Sequence, residues 1–202
     1  MKDTDDMNDK QASTVNIPDN YVSGKSTMEY EVPWMTPGAI QKLHELLKSS
    51  DLVIEAGCGG SSLFFARRVE SVIAIEPNST WANLVISEVH KRDIQNTRII
   101  PTSPSEVINV ARGLAGCNVL SIDTDHSYLN RDEIQDILSE RAGDQLEVVV
   151  MDNYGERSLF HNSYNWTNDQ MIASLPGEQW QGEAFDDSHW VGRGTRIFWR
   201  RR

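Results

Sequence analysis

Three groups of residues in this chain have the types and spacing that chemistry needs. The first is Glu55-Ala56-Gly57-Cys58-Gly59-Gly60-Ser61, a carboxylate followed by a run of glycines. Glycines let a backbone take positive φ and approach a ligand with no Cβ in between, and the free N–H groups of a following helix face the same spot. The second is Glu76 with Pro77, about twenty residues further on, where an acid can accept both hydroxyls of a ribose. The third is Asp123-Thr124-Asp125-His126 together with Asp152-Asn153. Carboxylate and amide oxygens suit a hard divalent cation, and a histidine can take a hydroxyl proton near neutral pH.

Each group falls where a strand should end. Leu52-Val53-Ile54 is a short apolar run stopping at Glu55, and Leu63-Phe64-Phe65-Ala66 resumes with helical length, so the first group is a strand, a glycine turn and a helix. Ser71-Val72-Ile73-Ala74-Ile75 is a second strand ending on Glu76. Further strands are predicted at Thr97–Ile100, at Asn118–Ile122 running into Asp123, and at Glu147–Met151 running into Asp152. Between them lie helices over Ser79–Lys91, from a capping box at Ser103-Pro104-Ser105-Glu106 to about Arg112, and from beyond Tyr128 to about Glu140. An N-cap threonine with proline at the first helical position opens a helix over Thr36–Lys48, whose Ile40, Leu43, Leu46 and Leu47 share one side. Strand and helix alternation of this kind demands parallel strands with crossover helices on both faces, an α/β doubly wound sheet. In such a sheet ligands bind beyond the carboxyl ends of the strands, where all three groups sit.

After Asn153 the alternation breaks. A polar and aromatic stretch from Tyr154 to Trp166 precedes a modest helix at Asp169–Leu175 and two last strands, Gln179–Phe185 and Thr195–Arg200. Tyr154, Arg157, His161, Tyr164 and Trp166 are either a substrate wall or an aromatic loop packed on the domain. His44, His189 and Trp190 read as structural or surface residues. Near the start, Met28-Glu29-Tyr30-Glu31-Val32-Pro33-Trp34-Met35 either lies over the site or plugs the core beside the next helix.

The 202 residues suffice for one α/β domain with a full core. Residues 1–25 are acid-rich and lack apolar periodicity, which predicts a flexible tail ahead of a domain over 26–202. A formal net charge of −11 argues against a nucleic-acid partner or an anionic membrane surface. Two cysteines, Cys58 and Cys117, suggest no disulfide framework, and neither a leader nor a long apolar span is visible. The expectation is a soluble cytoplasmic protein.

The strand, Glu-x-Gly-x-Gly-Gly turn, helix, strand and Glu76 together resemble motif I of the class I S-adenosylmethionine (SAM) methyltransferases. The resemblance implies a Rossmann-like, mostly parallel seven-stranded sheet closed by a C-terminal antiparallel hairpin. It also implies SAM as cofactor, with the methionine end near Glu55, Gly57, Cys58, Gly59 and Ser61, the ribose on Glu76 beside Pro77, and Asp123 also against the cofactor. Family members commonly read the adenine with an acid after the third strand; here Pro101-Thr102-Ser103 stands there, leaving the task to backbone groups or the Ser103 hydroxyl. Asp123 with Asp152-Asn153 is similar to the metal-dependent catechol and caffeoyl-CoA type O-methyltransferases. That similarity implies Mg²⁺ or Mn²⁺ on Asp123, Asp152 and Asn153, with His126 where those families carry a lysine. A broader likeness, from Trp34 to Arg200, is to small bacterial and viral methyltransferase-like proteins, some of whose relatives with Asp-x-Asp-His-x-Tyr methylate sugars.

The activity these resemblances imply is methyl transfer to a hydroxyl of a small molecule or glycan, with Asp123, Asp125 and His126 as the catalytic set. Alternatives are a non-catalytic module, within a larger glycan-processing assembly for instance, or a nicotinamide (NAD) oxidoreductase. A nucleic-acid N-methyltransferase fits less well, because no Asn/Asp-Pro-Pro-Tyr motif follows the fourth strand.

Overall fold

The computed structural model describes residues 15–17, 24–124, 131–153, 168–186 and 194–200. A short helix α1 (Gly24–Tyr30) leads to α2 (Pro37–Leu46), and the alternation then runs β1 (Leu52–Ala56), α3 (Gly60–Ala66), β2 (Ser71–Glu76), α4 (Ser79–Lys91) and β3 (Thr97–Pro101). It continues through α5 (Val107–Gly113), β4 (Val119–Ile122), α6 (Arg131–Ala142) and β5 (Val148–Met151) to α7 (Asn168–Ser174), β6 (Trp180–Phe185) and β7 (Thr195–Arg200). All seven strands lie in one sheet in the order β3-β2-β1-β4-β5-β7-β6. The first five are parallel, and β7 inserts antiparallel between β5 and β6. The chain order reverses between β1 and β4, which is where an open α/β sheet leaves its crevice.

Covering on both faces explains why the central strands are apolar at every position. Along β5, Val148 and Val150 pack under α2 and α3, while Val149 and Met151 pack under α6 and α7. The same alternation places Val53 and Val119 on the first face and Ile54, Leu120 and Ile122 on the second. Helix α3 is buried along its whole length. Among the described residues no helix is long and apolar enough to cross a membrane.

Local chemistry moved two boundaries from their expected places. Thr36 caps α2 through Ala39 N–H at 3.4 Å, as its sequence implies, but the helix stops at Leu46 because the Asp51 carboxylate accepts the Lys48 N–H at 2.8 Å and ties a turn there. The capping box at Ser103 does not form. Its hydroxyl donates to Glu106 Oε2 at 2.9 Å, the two side chains satisfy each other within a turn, and α5 begins only at Val107. The tail expected over 1–25 is seated where it is described: Val15 and Ile17 pack against the core, and Val15 N–H donates to Gln41 Oε1 at 3.2 Å.

Leu120 is fully buried in β4, at the middle of the sheet. Leu120→Ala should destabilise the fold by about 3 kcal/mol, read as a lowered urea midpoint with an unchanged slope.

Candidate functional site

At the carboxyl ends of β1, β2 and β4 a cavity of about 340 Å³ opens, within the size range of small-molecule sites. Its floor is the turn between β1 and α3. Gly57 takes φ +102°, and a Cβ there would lie 2.0 Å from the Asp123 carbonyl oxygen at the end of β4. Only glycine can make that approach. Gly60 is held as closely from the other side: a Cβ would meet the carbonyl oxygens of Val32 at 2.2 Å and Thr27 at 2.6 Å. The strap formed by α1 and the residues after it therefore rests directly on the first turn of α3.

Glu76, at the tip of β2, joins this turn to the next. Its Oε1 accepts Asn78 N–H at 2.7 Å and its Oε2 accepts Cys58 N–H at 3.1 Å. Asn78 caps α4 through Trp81 N–H at 3.1 Å, and the Trp81 indole N–H donates to the Cys58 carbonyl at 2.6 Å. A carboxylate has about four acceptor positions, so these two bonds leave Glu76 capacity toward a ligand. Burial pushes its pKa up, against the hydrogen bonds from Asn78 and Cys58. Burial likewise pushes up the Cys58 thiol, which makes a thiolate there unfavourable.

Glu55 does not line the cavity; it lies beneath the turn, 0% exposed. Its Oε2 accepts the Ser62 hydroxyl at 2.6 Å, and the Ser62 oxygen accepts Gly59 N–H at 3.2 Å, so the acid steadies the turn through a serine. Its Oε1 is buried with no hydrogen-bond partner. Burial raises its pKa to about 8, opposed by the neighbouring Ser61 and Ser62 hydroxyls and reinforced by the negative charges of Asp123 and Glu76.

Of the cofactor residues expected from sequence, Cys58, Gly59, Ser61, Glu76, Pro77 and Asp123 line the cavity, and Gly57 shapes its floor. Ser103 is not part of the wall, since its hydroxyl is engaged with Glu106 and Ser105. Thr27, Asn78 and Trp81 line it without having been singled out, and Thr124 of the third group lines it too. Only the Asn78 to Trp81 spacing carried a signal, that of a helix cap. The two readings of the segment before α2 both hold, for different residues: Met35 is 0% exposed in the core, while Trp34 is 44% exposed and forms part of the cavity wall.

Asp123 and Asp152 do come together. Ile122 pairs with Met151, so the residues that follow leave β4 and β5 side by side. Asp152 is buried, however, and both its oxygens are engaged: Oδ1 accepts the Thr195 hydroxyl at 2.5 Å and Oδ2 accepts the Asn153 amide at 2.9 Å. The same amide nitrogen reaches toward Asp123 Oδ1 at 3.5 Å. An amide N–H₂ thus stands between the two carboxylates where a cation would need oxygens. Among the described residues no group of three or more His, Cys, Asp or Glu is arranged to hold a metal ion. As hydrogen-bonded here, Asp123, Asp152 and Asn153 do not fit Mg²⁺ or Mn²⁺. Asp125 and His126 lie outside the described residues, as do Tyr154, Arg157, His161, Tyr164, Trp166, His189 and Trp190.

No protein-family model and no curated protein matches the chain. Solved structures do. An rRNA methylase from Streptococcus thermophilus is 13% identical with a TM-score of 0.56, over 78% of this chain and 91% of that one. Precorrin 8w decarboxylase from Methanobacterium thermoautotrophicum is 14% identical with a TM-score of 0.57, over 93% of this chain and 100% of that one. TYW2 from M. jannaschii, solved in complex with AdoMet, is 12% identical with a TM-score of 0.50, over 77% and 72%. At such identities the likeness is one of fold, and what each of those proteins acts on stays with that protein.

Two tests follow from the geometry. Gly57→Ala should cost about 1–3 kcal/mol in denaturant unfolding, because the turn must move away from Asp123. Glu55, with its ordinary value of 4.5 raised to about 8, keeps a proton in the folded state that the unfolded chain has lost between those values. The folded state then binds more protons, so stability should fall as pH rises from about 5 to about 8. Glu55→Gln should flatten that slope in urea midpoints measured across the range.

Proposed function

We propose that this chain, which has the Rossmann-like class I methyltransferase fold, is a SAM-dependent O-methyltransferase acting on a hydroxyl of a small molecule or glycan. One observation carries the reading: the cavity over the glycine turn gathers negative charge. Glu76 and Asp123 line it, while Glu55 beneath, its pKa raised to about 8 by burial, keeps its proton near neutral pH and adds no charge of its own. Such a field favours a cationic ligand and repels a pyrophosphate. That weighs for SAM, which carries an ammonium and a sulfonium, and against a nicotinamide dinucleotide.

In this reading the residues divide their work by position. Glu76 takes the ribose hydroxyls with the lone pairs that Asn78 and Cys58 leave, and Pro77, Asn78 and Trp81 wall the same side. The backbone of Cys58 to Ser61 and the Ser61 hydroxyl hold the amino-acid end. Glu55 supports them from below through Ser62. When bound, SAM supplies an electrophilic methyl group on a positively charged sulfur.

Asp123 and Thr124, at the end of β4, orient the acceptor in a cavity whose wall also includes the exposed Trp34. The acceptor hydroxyl passes its proton to His126, three positions beyond Asp123 in the chain, as its oxygen bonds to the methyl carbon. Alignment of the two reactants supplies most of the acceleration. No step runs through a metal, because Asn153 and Thr195 hold Asp152 in a hydrogen-bonded set. The acidic net charge of −11 favours a small neutral acceptor over nucleic acid.

The test is titration with S-adenosylhomocysteine, followed by transfer from labelled SAM to a panel of sugars, glycans, catechols and RNA. Saturable binding is expected, weakened about 10- to 100-fold by Glu76→Ala. His126→Ala should abolish transfer to the hydroxylated acceptor while retaining that binding, Asp123→Ala should abolish transfer and weaken binding, and EDTA should leave turnover unchanged. Binding of NAD without S-adenosylhomocysteine would overturn the reading. Transfer to RNA alone, or EDTA inhibition reversed by Mg²⁺, would overturn the acceptor class or the metal-free step respectively.

A further inference from the structure

A second cavity, of about 300 Å³, lies at the other end of α3, away from the glycine turn. Asn16, Tyr30, Glu31, His44, Arg67 and Arg68 line it, so the N-terminal arm, the strap after α1, α2 and the end of α3 all contribute a wall. The two arginines are unequal. Arg67 is committed to Glu31 through two bonds of 2.9 Å, and the same carboxylate takes Arg92 Nε at 3.1 Å. Arg68 is half-buried and none of the ion pairs among the described residues includes it.

Neutral groups fix the Arg68 guanidinium in place. Nε donates to His44 Nδ1 at 3.2 Å, Nη1 donates to the Phe64 carbonyl at 2.8 Å, and the plane stacks 3.7 Å from the Phe64 ring centroid. Neither bond uses Nη2. A half-buried guanidinium whose hydrogen bonds go to neutral acceptors is stabilised when an anion completes it. Its burial, which outweighs the attraction of Glu31 on the same cavity wall, pulls the Arg68 pKa down. In a chain of net charge −11 this wall, with two arginines against one glutamate, is a local positive spot that the overall charge does not explain.

From this geometry we infer that the cavity is a binding site for a small phosphate-type oxyanion, held by the Arg68 fork with Arg67 beside it. A planar, pre-positioned guanidinium is the side chain best matched to two oxygens of such a ligand. The site is separate from the methyl-transfer cavity and does not depend on the function proposed for it.

Isothermal titration of the full chain with inorganic phosphate, at ionic strength held constant with chloride, tests this. One saturable site is expected, with a Kd of about 1 mM or tighter. Arg68→Gln should weaken it at least about tenfold, while Arg112→Gln, exposed on the opposite face of the sheet, should not. Because Arg68 also packs on Phe64, the wild-type chain supplies a second readout: phenylglyoxal labelling followed by peptide mass spectrometry. Phosphate should protect Arg68 and leave Arg112 reactive. Absence of saturable binding, wild-type affinity in a folded Arg68→Gln, or unprotected Arg68 would each overturn the site.

Discussion

One backbone approach governs the rest of this structure: Gly57 passes against the carbonyl of Asp123, at a distance no side chain would permit. It joins the tips of three strands. Gly57 N–H donates to Ile75 O at 2.8 Å on the β2 side, and Asp123 N–H donates to Ala56 O at 2.8 Å on the β4 side. With those tips fixed, Glu76 can reach back to Cys58, Trp81 can close over the turn, and Asp123 faces the same space. The cavity is the volume left when three strand ends are drawn together and the helix after the first must start at once.

The second constraint is electrostatic. Three carboxylates around a largely enclosed turn would repel one another and resist burial. The fold answers with hydrogen bonds where it can, from Ser62, Cys58 and Asn78, and leaves one Glu55 oxygen unanswered. The strap sets the outer wall. Glu31 turns through φ +53° and pairs with Arg67 and Arg92, and that anchors the segment bearing Thr27 and Trp34 over the turn.

Much of this was legible beforehand because the signals were local or periodic. Apolar runs with covering on both faces gave the parallel strands, and the helix over Ser79–Lys91 and the strand over Thr195–Arg200 fell on their expected residues. The failures share a cause. Ser103 and Glu106 have the types of a capping box, but side-chain oxygens can bond each other as readily as backbone, and they do. Trp34 and Met35 are adjacent and both apolar, so composition could not say which faces the core and which the cavity.

The chain by itself determined the order of elements and the placing of Glu55, Gly57, Glu76, Asp123 and Asp152 at strand ends, since these follow from periodicity and from residue types that only certain backbones accept. Tertiary structure alone decided what each acid does. Glu55 went beneath the turn because Ser62 was there to receive it, and Asp152 was tied down by Thr195, a residue 43 positions away. A side chain's partners depend on which strands become neighbours and in what register, and that is settled only when the sheet has closed.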